Sequence, residues 1–201
     1  YTVGFASCDI TPAPGQAFMS GYGVARICKG ALSRLSAQAL AVRDGRGQTG
    51  LIITADILGF GATAVARLRR RLHAAHGLAP EAIILAASHT HWGPTTQMRM
   101  NYHTGGLNIW YVRDLERKLL TIADEALASL APAKLSHGVT ETRIGHNRRV
   151  PQPDGSVGWG VNVDGSDDAH TPVLHLERGG RAAAEARRII IVSHACHPTG
   201  S

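Results

Sequence analysis

The stretch ILAASHTHWGPTT, residues 84–96, decides how the chain is read. An apolar run of strand length ends in two histidines one residue apart, and a Gly-Pro turn follows. If strand geometry persists, side chains at i and i+2 point to the same side, so His89 and His91 form a pair. The Gly93-Pro94 turn bends the chain away and leaves space above them. Two imidazoles placed this way can share a cation, or one can hold it while the other meets a substrate. The same spacing also occurs in ordinary hydrogen-bonded strand-end residues.

The chain's last stretch repeats the pattern. IIIVSHACHPTG, residues 189–200, is a second apolar run that leads to His194, His197 and a proline. Two such strands converging at one sheet edge would bring imidazoles together. Neutral imidazole is the commonest metal ligand and suits zinc. A catalytic zinc wants three or four protein ligands and an open position. It polarises a carbonyl and acidifies water.

Working outward, residues 2–10 read as a strand stopped by TPAPG. Residues 36–43 alternate into DGRG, a hairpin turn, and LIITADILGF supplies the partner strand. Asp56 falls within that run, where an acid either caps a turn or faces a site. Val65, Leu68 and Leu72 carry a helix over 62–76, with Gly77 as its stop. Residues 82–88 form a further strand. Ile109, Val112, Leu115, Leu119, Ile122, Ala126 and Leu130 keep helical rhythm over 109–130. Strands return at 135–144 and 172–177, with turn-rich sequence at 151–168 between them. The order predicts an α/β fold, mixed β-sheets flanked by helices. Such sheets bind ligands beyond the carboxyl ends of their strands.

Composition narrows the function classes. The 201 residues are 44% hydrophobic, enough for one core or for half of a larger one. The formal charge is +6. Arg67, Arg69, Arg70 and Arg71 contribute to it from one helix, without interleaved aromatics or a nucleic-acid motif. They read as a solvated face, and nucleic acid is not an expected partner. Apolar runs reach only strand length, so no transmembrane segment is expected. The chain opens at Tyr1 with no signal-peptide pattern, which leaves localisation open between secreted or periplasmic and cytoplasmic. Cys8, Cys28 and Cys196 form no CxxC pair, which argues against a cysteine-built zinc site. Cys196, beside a histidine, could be a thiol nucleophile, but a small buried residue is the commoner reading. HNRRVP, residues 146–151, reads as a loop. Its Arg148 could hold a carbonyl or carboxylate oxygen with a planar fork, or could be an ordinary surface arginine.

Several segments resemble, in order, the neutral/alkaline ceramidase family. They are VGFASCDITPAPG, FMSGYG, LSRLSAQALAV, ITADILG, SHTHWGP, HNRR, HTPVLHLER and CHPTG, which together span nearly the whole chain. Members of that family are zinc-dependent amidases that cleave the N-acyl bond of ceramide. The resemblance implies that His89 and His197 are zinc ligands. It implies that His91 meets the substrate or the reacting oxygen, and that Arg148 steadies the substrate carbonyl. Trp92 and Asn147 become candidate substrate contacts, and Asp56 and His194 candidate supports behind the ligands. Trp92 stands where the family has serine, Thr95-Thr96 replace a glycine-rich turn, and Arg149 replaces serine. These changes reshape the pocket and point to an amide or ester smaller than ceramide. The family's remaining ligands, a glutamate and a tyrosine, come from a region after the position matching Ser201. The chain therefore reads as one domain, the N-terminal half of a ceramidase-like catalytic domain. A second polypeptide, made by cleavage or separate expression, or a missing C-terminal part would complete it. Two alternatives stand beside a zinc amidohydrolase. One is a subunit of an amidase or esterase matured by cleavage, with the nucleophile on its partner. The other is a non-catalytic binding module on the same fold.

Overall fold

The computed structural model describes residues 1–21, 25–97, 106–179 and 187–197. They pack as two compact units, Tyr1–Pro132 and Ala133–His197.

In the first unit, β1 (Thr2–Asp9), β2 (Ser36–Arg43) and β3 (Thr49–Ala55) pair antiparallel in order. β3 then crosses through helix α1 (Ala62–His76) to the parallel β4 (Ile83–Ala87). The β2–β3 hairpin forms at DGRG as expected. Asp44 Oδ1 accepts from the backbone N–H groups of Arg46 and Gln48 at 2.9 and 2.8 Å, and Gly47 takes φ 84°. Helix α2 (Ile109–Ala128) is capped by Asn108, whose side chain accepts from the N–H groups of Trp110 and Tyr111.

Cross-strand register explains where the helices sit. One sheet face carries the rows Gly4-Ala41-Leu51-Ile83 and Ala6-Ala39-Ile53-Leu85. Small residues on β1 and β2 let α2 approach closely, and branched residues fill the space over β3 and β4. Leu115, Leu119, Ile122 and Ala126 of α2, with Leu68 and Leu72 of α1, bury against this face. The tightest point is Gly4, where a Cβ would collide with the carbonyl oxygen of Ala126. α1 is tied to α2 by Arg67, whose Nε donates to Glu116 at 2.8 Å. Arg69 donates to the carbonyl of Ile83. Only Arg70 and Arg71 of the four arginines form the solvated face expected from sequence.

The next strand, β5 (Ala131–Glu141), contributes its first two residues to the first unit, where they pair with Thr2 and Val3. In the second unit, the rest of β5 pairs antiparallel with β8 (His170–Arg178), and β8 with β9 (Arg187–Val192). β6 (Asn147–Pro151) and β7 (Val157–Asn162) form a separate hairpin. HNRR is not a loop, because Asn147, Arg148 and Arg149 lie on β6. The turn-rich stretch contains β7, closed by a turn at Gly155 with φ 81°. Cys196 is exposed rather than buried. No helix among the described residues is long and apolar enough to cross a membrane.

Candidate metal centre

Strand geometry does not persist through the first histidine pair. β4 ends at Ala87, and His89 takes φ 59°, a left-handed conformation that a non-glycine residue adopts at a cost. The two rings nevertheless meet, with centroids 5.0 Å apart in an edge-to-face arrangement. Each ring is aimed by a backbone carbonyl. His89 Nδ1 lies 2.6 Å from the oxygen of Leu58, and His91 Nδ1 lies 2.9 Å from the oxygen of Gly21. A carbonyl oxygen only accepts, so each Nδ1 carries a proton, and Nε2 is the nitrogen through which either ring would bind a metal. This is how metal-binding histidines are commonly fixed.

The positions of those two carbonyls follow from local chemistry. Asp56 closes the end of the β2–β3 pair, accepting from Ser36 N at 2.9 Å and Ser36 Oγ at 3.0 Å. That anchors the bend in which Leu58 sits two residues later. Both of these bonds run across to the first residue of β2. The other carbonyl belongs to FMSG. Thr95 N donates to Phe18 O at 2.7 Å, and Ser20 N donates to Gly93 O at 2.9 Å. These bonds clamp the turn after the histidines. Gly21 has φ 106°, and a Cβ there would lie 2.5 Å from His91 Cα. Gly21 thus positions His91, a role the residue-by-residue reading missed. Its signal was a glycine inside an otherwise apolar, strand-like segment.

An open cleft of about 1090 Å³ adjoins His91 in the same unit. Thr90 and Trp92 line it, and Trp92 is 54% exposed. This is just above the usual upper size of small-molecule sites.

In the second unit, the strand register shifts between Asn147 and Arg149, which leaves Arg148 at an irregularity in β6. Such bulges re-aim a side chain. The Arg148 guanidinium lies 4.4 Å from the centroid of the Trp159 ring and bonds to His197 Nδ1. An arginine only donates, so His197 Nδ1 accepts and the neutral ring holds its proton on Nε2. The Asn147 amide is engaged within the unit. Its Nδ2 donates to Ser166 O at 2.9 Å, and its Oδ1 accepts from Arg149 N at 2.9 Å. His194 Nδ1 bonds to Thr171 Oγ1 at 3.0 Å. Trp159 went unnoticed in the sequence, where it sits among glycines.

Imidazoles that could serve as metal ligands are His89 and His91 in the first unit and, once Arg148 has left its Nδ1, His197 in the second. Their imidazole chemistry fits a borderline ion such as zinc.

No protein-family model matches the chain, and no curated protein matches it by sequence. Solved structures do. A ceramidase complexed with C2 superposes with a TM-score of 0.72 at 22% identity over 88% of this chain. The neutral ceramidase from Pseudomonas aeruginosa gives 0.72 and 22% over 87%. The chain spans 29% of the length of each. At that identity the likeness establishes the fold, a ceramidase-like mixed sheet with flanking helices.

Proposed function

We propose that this chain carries the histidines and the substrate arginine of a zinc-dependent amidohydrolase that cleaves an N-acyl amide bond. The observation behind this reading is the His89–His91 pair, each ring oriented through Nδ1 by a backbone carbonyl, so that Nε2 is the atom His89 would offer to an ion and His91 to a substrate. The ceramidase-like fold supports it. In this reading His89 and His197 hold one zinc ion, completed by residues beyond these 201 on the same or a second polypeptide. Zinc supplies Lewis acidity toward the amide carbonyl and lowers the pKa of a water. His91 contacts the substrate or the reacting oxygen. Arg148 leaves His197 and directs its planar fork at the substrate carbonyl, where positive charge stabilises developing oxyanion character. Asn147 holds the β6 irregularity from which Arg148 projects. Trp92 walls the cleft and limits substrate width, which favours amides smaller than ceramide.

The test combines metal analysis with hydrolysis of a series of N-acyl amides by the full-length protein. About one zinc per chain and measurable turnover are expected. His89→Ala should lose both. Arg148→Gln should keep the metal and lose roughly 10- to 100-fold in kcat/KM. Turnover with no metal bound would shift the reading to an amidase whose nucleophile lies on a partner chain. Zinc binding with no turnover on any amide or ester would leave a binding module.

A further inference from the structure

The cleft beside His91 has a one-signed lining. Arg26 and Lys29 border it, and among the described residues no aspartate or glutamate does. Both cations are exposed, and neither belongs to an ion pair among the described residues. A carboxylate close in sequence, Asp9, is occupied elsewhere. The hydroxyl and N–H of Thr11, then Arg34, hold its pKa down to about 2. The segment bearing the two cations is fixed in place. Met19 N donates to Arg26 O at 2.7 Å, and Cys28 N donates to Ala17 O at 2.9 Å. The rest of the lining is largely apolar. Met19 and Leu35 contribute to it, with the exposed side chains of Ile27 (47%) and Leu32 (109%).

An apolar trough with two uncompensated cations and no carboxylate is complementary to an amphiphile that carries negative charge. We propose that the cleft selects anionic N-acyl amides, in which an apolar acyl chain is joined through the scissile amide to a unit bearing a carboxylate or sulfonate. The acyl chain lies along Met19, Ile27 and Leu32, and Arg26 and Lys29 meet the anion. This rests on the hydrolase reading of the same site and adds the substrate's charge to it.

Binding and turnover are to be measured separately on the full-length protein. N-lauroylglycine, N-lauroyltaurine and the neutral N-lauroylglycinamide share one acyl chain. Calorimetry should give at least about threefold tighter binding for the two anions than for the neutral amide at low salt. The gap should shrink as ionic strength rises. Arg26→Gln with Lys29→Gln should erase the gap and leave glycinamide binding unchanged. Comparing glycine with taurine tells a carboxylate preference from a general anion preference. Equal affinity for all three, or a gap that survives the double substitution, overturns the proposal. Hydrolysis of the same compounds reads the other claim. Selective binding of the anions without cleavage would sink the hydrolase reading and leave the cleft's selectivity standing.

Discussion

A single glycine carries much of the geometry at the histidine pair. Gly21 does two things: its carbonyl accepts a hydrogen bond from His91 Nδ1, and its bare Cα lies against the His91 backbone. Alanine there would meet two penalties, a strained positive φ and a Cβ 2.5 Å from His91 Cα. Gly21→Ala should therefore displace His91 while leaving its chemistry intact. A competition titration with a zinc chelator and a kcat/KM measurement would check this. The expected outcome is a fall of roughly tenfold or more in kcat/KM, with a smaller change in zinc affinity, since His89 is held independently by Leu58. An unchanged kcat/KM would mean that the Gly21 carbonyl does not set the His91 ring. His89 marks the limit of sequence reading at this scale. The i, i+2 rule brought the two histidines together for the wrong reason, because a left-handed residue, not a continuing strand, places the ring. A backbone conformation at one position leaves no mark in hydrophobic periodicity.

Among the elements, the readable ones are those with strong periodicity. α1 ends at Gly77 in the left-handed conformation, as the Gly stop implied. α2 buries the stripe from Val112 to Ala126 that its spacing predicted. The β6–β7 hairpin was missed because glycines 158 and 160 occupy one face of β7 and carry no side chain to mark it. The signal was present on the other face as Val157, Trp159 and Val161, at strict period two after an Asp-Gly turn. α2 also allows a sharp test of packing. Gly4 faces Ala126, and Phe5 N donates to Ser129 Oγ at 3.2 Å, just past the helix end. Gly4→Ala forces β1 and α2 apart and should cost about 1–3 kcal/mol. For a domain of this size that lowers Tm by roughly 3–10 °C in a thermal melt. An unchanged Tm would show that the β1–α2 contact is looser than described.

For the whole chain the question is whether two histidine segments, more than a hundred residues apart, serve one ion. The proposed function assigns one ion to both, and that assignment has a thermodynamic signature. An ion that binds only the folded chain stabilises it by RT ln(1 + [L]/Kd), about 2.7 kcal/mol at a hundredfold excess over Kd. Calorimetric melts of the full-length protein should therefore rise by roughly 5–10 °C with excess zinc and fall back with chelator. His89→Ala and His197→Ala should each abolish the whole shift, and the double variant should add nothing to either. That non-additivity is the mark of residues acting on one ligand. Two independent sites would instead leave each single variant with part of the shift and a titration endpoint near two zinc ions per chain. Because His197 Nδ1 is engaged by Arg148, an ion held by this nitrogen would require the guanidinium to move away. Arg148→Gln should then keep the full shift and reach it at lower zinc concentration, which sets the arginine apart from the ligands in the same titration.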